Sequence, residues 1–155
     1  GVVYKRQAAL CLGACGAWIG TRFLASEEAD IHPEYRQHLF DANEADTVYL
    51  EDLFDVGWRN APHRVLRNST FSQWLGAACP RSGERPGESQ VIGTSSGRDI
   101  IRYMSPTPNE ATPGNIEAMS MWAGQGVGLI TTMQPAREII EQLWAETQAI
   151  LTGLP

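Results

Sequence analysis

Gly16-Ala17-Trp18-Ile19-Gly20-Thr21-Arg22-Phe23-Leu24 is the stretch from which the fold is read. Residues 17–20 are short, apolar and uncharged, the pattern of a parallel strand covered on both faces. Gly20 ends that strand, and residues 21–25 start a helical turn. A glycine followed by a run of backbone N–H groups suits a phosphate, because unpaired amides attract anions without a charged side chain. Ahead of it, residues 7–13 (QAALCLG) have helical composition and a glycine stop. Helix, glycine, short apolar strand and Gly-Thr are the late part of a βα repeat, so the expected fold class is α/β.

Size and charge narrow the function. The chain has 155 residues, enough to bury a core but short of the roughly 250 that a (β/α)8 barrel needs. A net charge of −6, one lysine (Lys5) and scattered arginines argue against a nucleic-acid surface, which needs clustered Lys and Arg. The uncharged run over residues 7–21 is too short and too rich in glycine to span a bilayer, and the start carries no signal-peptide pattern. No nucleic acid, no membrane and a cytoplasmic location are therefore the expectations. Cys11, Cys15 and Cys79 are odd in number and lack framework spacing. They read as reduced thiols buried as small hydrophobes, with no metal site.

Along the chain, Ser26-Glu27-Glu28 looks like a helix cap with acids in the first turn. Pro33 opens a clear helix with Tyr35, Leu39 and Phe40 on one face and Glu34 four residues before His38; Asn43 ends it. Residues 46–54 begin as a strand, residues 64–68 form a short extended piece, and residues 70–78 a helix with Phe71, Trp74 and Leu75 at helical spacing. Residues 79–89 are a Pro/Gly loop without periodicity. Residues 90–93 and 99–103 flank Thr94-Ser95-Ser96-Gly97 as a hairpin. Asn115 caps a helix through Ile116, Met119, Met121 and Trp122 that stops near Gly124. Pro135 starts the last helix, with an apolar stripe of Ile139, Ile140, Leu143, Trp144, Thr147, Ile150 and Leu151 and with Arg137, Glu138, Glu141 and Glu146 pointing out; Gly153 closes it.

A second glycine motif, Ala123-Gly124-Gln125-Gly126-Val127-Gly128-Leu129-Ile130, is spaced G-x-G-x-G and follows a predicted helix, which is not the dinucleotide fingerprint. Small residues here bring the backbone close to something flat, or make a packing turn between helices; for Gly126 and Gly128 both readings stand. The three histidines read as structural: His32 at a helix entry, His38 as an exposed partner of Glu34, and His63 in a loop. No Ser-His-Asp or His-Glu-x-x-His arrangement is visible, and paired acids such as Glu27-Glu28 and Glu51-Asp52 read as solvated faces.

GAWIGTRFLASEEADIHPEY together with EAMSMWAGQGVGLI resembles the flavin-dependent nitronate monooxygenases, formerly called 2-nitropropane dioxygenases. The resemblance covers nearly the whole chain after Gln7, in order. It implies the C-terminal part of an FMN-binding (β/α)8 TIM barrel, with a helical and loop insertion over residues 54–113 and a C-terminal helix. Residues 1–6 do not match the strand and Gly-Gly turn that relatives carry there; they read as a non-native leader ahead of an incomplete barrel domain, residues 7–155. The resemblance further implies that Trp18, Ile19, Gly20 and Thr21 lie against the FMN phosphate. Gly124 and Gln125 would come near the flavin ring, where Gln125 can hydrogen-bond the ring edge.

The reaction that this resemblance implies is oxidation of an alkyl nitronate by flavin and O2 to a carbonyl compound and nitrite. The catalytic base of one class of the family, a histidine, lies in the first half of the barrel, so no catalytic residue is assigned here. Flavin-dependent enoyl reductases share the Gly-Thr turn and an AGQ-like segment and remain the alternative, as does a non-catalytic interaction module in which Trp18, Trp122 and Trp144 are core. An open piece of a barrel leaves edges and apolar faces unpaired, so aggregation or self-association into a homo-oligomer is expected.

Overall fold

A computed structural model describes residues 9–10 and 12–153; the expected leader, residues 1–6, and Gln7, Ala8 and Cys11 of the expected first helix lie outside them. After a turn at Gly13 (φ +94°), residues 14–20 form neither helix nor strand, with a bend at Cys15. The buried strand expected over residues 17–20 is not formed, and Trp18 is fully exposed (101%). A parallel barrel strand needs a ladder on each side, and among the described residues no strand pairs with this one. The helical turn that follows is a 3-10 helix, Thr21–Ala25. Ser26-Glu27-Glu28 does not cap a helix directly after it. Ser26 bridges Gln134 in parallel, the Glu27 N–H donates to the Gln134 carbonyl (3.1 Å), and the Glu28 carboxylate accepts from the N–H of Ala136 at 2.8 and 3.1 Å. Glu28 caps a helix, but one that begins more than a hundred residues later.

Helix α1, Pro33–Asp41, follows its sequence signals: Pro33 opens it, the His32 ring accepts from the Glu34 N–H (3.2 Å), and Tyr35 and Leu39 are buried. The Tyr35 hydroxyl reaches across to the Trp122 carbonyl at 2.6 Å. Asn43 lies beyond the helix and caps the 3-10 turn Glu44–Asp46 instead.

Strands β1, Thr47–Leu50, and β2, His63–Leu66, pair antiparallel with Val48 opposite Val65. The other edge of β2 takes up the chain at residues 121–123: Leu66 N–H donates to Met121 C=O (2.8 Å), Ala123 N–H donates to Arg64 C=O (3.1 Å), and Val65 bridges Trp122. The helix expected through Met119, Met121 and Trp122 therefore shrinks to a 3-10 turn, Ile116–Ala118. The backbone groups beyond it are committed to β2, and a helix there would leave that edge of β2 unpaired.

Helix α2, Ser69–Gly76, is capped by Asn68, whose side-chain carbonyl accepts from the Phe71 N–H (3.0 Å). Strands β3, Val91–Ser95, and β4, Arg98–Ile101, form the expected hairpin, turning at Ser96 and Gly97, both at positive φ. Helix α3, Ala136–Thr152, is the expected last helix, but its stripe is split. Ile139 and Thr147 are buried, whereas Ile140 (56%) and Trp144 (63%) are exposed, because nothing among the described residues covers their side of the helix. Cys15 and Cys79, expected to be buried, are exposed thiols: the strand that would bury Cys15 is absent, and Cys79 stands at positive φ just past α2. Among the described residues no metal-binding cluster is present, and no helix is long and apolar enough to cross a membrane.

The loop over residues 79–89, which lacks periodicity, is held by Arg85. Its buried guanidinium pairs with Asp55 (2.7 Å) and Glu88, donates to the Leu53 carbonyl (3.1 Å), and stacks 4.4 Å from the Tyr103 ring centroid. Burial works against ionisation of Glu88, but bonds from the Arg85 side chain and from the Arg85 and Gly83 amides outweigh it, so its carboxyl titrates below the ordinary range. A depressed native pKa stabilises the fold above the unfolded value of about 4.3, and that contribution is lost as pH falls through the native value. The urea midpoint is therefore expected to drop below about pH 4.3 more steeply in the wild type than in Glu88→Gln; parallel pH profiles would contradict this.

Candidate functional site

Two segments distant in sequence build one cavity. The first is residues 18–22. Gly20 precedes the 3-10 turn with φ −103° and ψ −63°, a conformation open to any residue, and a Cβ there would meet no atom within 4 Å. Neither backbone geometry nor packing demands a glycine at this point; what its absence of side chain leaves is room. The first bond of the turn runs from the Phe23 N–H to the Gly20 carbonyl (2.9 Å), which places the Thr21 and Arg22 amides among the N-terminal groups without intrahelical partners.

The second segment is delivered by β2. Its ladder with residues 121–123 ends as the chain enters Gly124-Gln125, and the Gly124 N–H donates to the Thr21 hydroxyl oxygen at 3.0 Å. That bond joins the two glycine motifs and leaves the Thr21 O–H as a donor. Trp18, Ile19, Gly20, Thr21, Gly124 and Gln125 all line one cavity of about 260 Å³. All six residues assigned to the cofactor from the sequence are thus brought together.

The opposite wall is α3, through Ile139, Gln142, Leu143 and Glu146. Glu146, expected to point outward, instead sits half-buried on this wall. The i, i+4 spacing of Gln142 and Glu146 beside Ile139 and Leu143 is the signal that could have placed both at the edge of the buried stripe. Arg22 lines the cavity and is anchored by Gln134 and by the Thr132 carbonyl (3.4 Å). Burial lowers its pKa, and the charge of Glu146 partly opposes that shift.

The two remaining glycines of the second motif divide their roles. Gly126 lines the cavity, whereas a Cβ on Gly128 would stand 3.2 Å from Asn43 Cα, so Gly128 is a packing glycine within the turn Val127–Leu129. None of the histidines lines the cavity. His32 caps α1, and His38 stands 3.9 Å from Glu34. His63, expected in a loop, opens β2 and is buried edge-on against Trp122 at 4.7 Å, with Nδ1 2.8 Å from the Ala61 carbonyl.

The sequence model of the nitronate monooxygenase family matches residues 2–146. The chain belongs to the nitronate monooxygenase family. It is 30% identical over 140 residues to a "Probable nitronate monooxygenase" of Bacillus subtilis (strain 168), covering 90% of this chain and 35% of that protein. The structure of FabK from Thermotoga maritima is similar with a TM-score of 0.62 at 27% identity, over 94% of this chain and 41% of that one. Nitroalkane oxidase from Streptomyces ansochromogenes has a TM-score of 0.63 at 24% identity, over 98% and 38%, which speaks for the fold alone. This nitronate monooxygenase family chain therefore corresponds to a segment of a (β/α)8 barrel enzyme and spans well under half the length of the relatives it matches.

Proposed function

We propose that the chain supplies the phosphate end of an FMN site in an enzyme that oxidises alkyl nitronates with O2 to carbonyl compounds and nitrite. The observation that carries this reading is the convergence of Gly20-Thr21 and Gly124-Gln125 on one cavity, joined by the bond from the Gly124 N–H to the Thr21 hydroxyl. The residues fit the group. The empty space beside Gly20 admits a close approach, and the Thr21 O–H and the amides at the start of the turn are donors for phosphate oxygens. At about 260 Å³ the cavity falls just under the range of small-molecule sites, roughly 300–1,000 Å³, as fits one end of a mononucleotide. When bound, the flavin supplies the redox chemistry. The chain's own part is to seat the phosphate and to offer the Gln125 side chain to the ring edge. No general base is assigned to it.

The test is a flavin fluorescence titration of the chain and of its Gly20→Glu variant. Since a Cβ at Gly20 meets nothing and the φ is ordinary, the variant is expected to fold. Its carboxylate would occupy and repel the phosphate, so FMN quenching by the wild type and none by Gly20→Glu is expected. Equal quenching would place the site elsewhere, and no quenching by the wild type would favour the non-catalytic module. A second reading, a flavin-dependent enoyl reductase, shares both motifs and the same cavity. Nitrite release from an alkyl nitronate under O2, against consumption of an enoyl substrate, separates the two reactions.

A further inference from the structure

The segment that carries Gly124 and Gln125 into the cavity is held by a hydrogen bond from outside its own ladder. β2 takes up the Met121 C=O and the Ala123 N–H, so by the alternation of an antiparallel pair the Trp122 carbonyl faces the other edge. There it accepts from the Tyr35 hydroxyl at 2.6 Å. Tyr35 is fully buried in a cluster with Ile31, Leu39, Leu66, Met121, Ala123 and Val127. Every other member is apolar, so a phenylalanine would fill the same place, and packing alone does not ask for the hydroxyl. Burial pushes its pKa well above the ordinary tyrosine range, so it remains a donor at any working pH.

Two hydrogen bonds thereby close a ring between the two glycine motifs. Thr21 holds the Gly124 N–H at 3.0 Å, and Tyr35, on the helix that follows Thr21, holds the chain two residues earlier at Trp122. α1 is tied back toward the first motif: an Arg36 guanidinium nitrogen donates to the Ala29 carbonyl (3.0 Å), and Leu24 and Ala29 pack on the Tyr35 cluster. The contact at Thr21 is close, since a Cβ on Gly124 would stand 3.4 Å from its hydroxyl oxygen. A bond at Thr21 alone fixes one point of the segment; the second bond, at Trp122, fixes the direction in which the chain leaves β2. We infer that Tyr35 is a positioning residue for the cofactor site, whose hydroxyl sets Gly124 against Thr21 and Gln125 at the flavin ring edge. The effect on flavin rests on the FMN reading above; the placing of Gly124 does not.

Tyr35→Phe removes the hydroxyl and keeps the ring that fills the core. Amide hydrogen exchange, read residue by residue by NMR, follows Gly124, with Leu66 in the β2 ladder and Thr94 in the β3–β4 hairpin as controls. In Tyr35→Phe the Gly124 amide is expected to exchange about tenfold faster or more, with Leu66 and Thr94 changed by no more than about twofold. Equal acceleration at all three amides would mean a general loss of stability and would overturn the proposal, as would an unchanged Gly124. FMN, titrated by fluorescence, is expected to bind Tyr35→Phe about tenfold more weakly than the wild type. In a Gln125→Ala background, where the positioned side chain is gone, the same change is expected to cost no more than about threefold. An equal loss in both backgrounds, or a loss in neither, would overturn the coupling of Tyr35 to the flavin. A wild type that binds no FMN would remove the cofactor reading, and exchange at Gly124 would still decide whether Tyr35 places the segment.

Discussion

Gly114→Ala is expected to lower stability by about 3 kcal/mol or more, enough to unfold much of the chain in a urea titration. Gly114 crosses Gly93 back to back. The Asn115 N–H donates to the Ile92 carbonyl at 2.7 Å, and the Thr94 N–H donates to the Pro113 carbonyl at 3.2 Å. Gly114 holds φ +135°, in the region that side chains avoid. A Cβ there would fall 2.5 Å from Gly93 Cα and closer still to the Ile92 oxygen. These are backbone atoms of a paired strand and cannot swing aside, so strain and overlap add. Gly97→Ala is the control. It also carries positive φ (+73°) but faces open space, so only the conformational cost of about 1–2 kcal/mol is expected. Similar losses for the two variants would show that the crossing is not tight.

Arg85→Met is expected to cost about 3–5 kcal/mol, because it strands Asp55 and Glu88 beside a buried site without their cation. Lysine should not rescue it. The guanidinium serves two carboxylates and the Leu53 carbonyl while lying flat on the Tyr103 ring, which one ammonium cannot reproduce. Neutralising the partners is the discriminating experiment. The triple change Arg85→Met, Asp55→Asn, Glu88→Gln is expected to regain a large part of the loss, since the stranded charges, rather than the missing attraction, dominate it. A triple variant as unstable as Arg85→Met would point instead to lost packing on Tyr103.

Signals that act within a few residues were legible in the sequence. Pro33, with Glu34 and His38, points to α1; Phe71, Trp74 and Leu75 at helical spacing point to α2; Ser96-Gly97 between β-rich runs points to the β3–β4 hairpin. The six residues proposed for the cofactor come from the resemblance, and all six line one cavity. What the sequence hid depends on distant partners. Residues 119–122 have helical spacing, but their backbone is claimed by β2, some 55 positions earlier. Glu28 caps a helix at Ala136 rather than its own neighbourhood. Arg85 looks like one more loop charge until the chain folds around it. Residues 17–20 have the composition of a barrel strand but no strand pairs with them among the described residues, which composition cannot reveal.

The phosphate seat is tested most directly by the ratio of FMN to riboflavin affinity for the chain, measured by fluorescence titration under one set of conditions. The two ligands differ in the phosphate alone. FMN is expected to bind about 100-fold more tightly, about 2.7 kcal/mol, with the preference abolished in Gly20→Glu. Equal affinity for the two flavins, unaltered by that substitution, would mean that the cavity between Gly20 and Gly124 holds no phosphate.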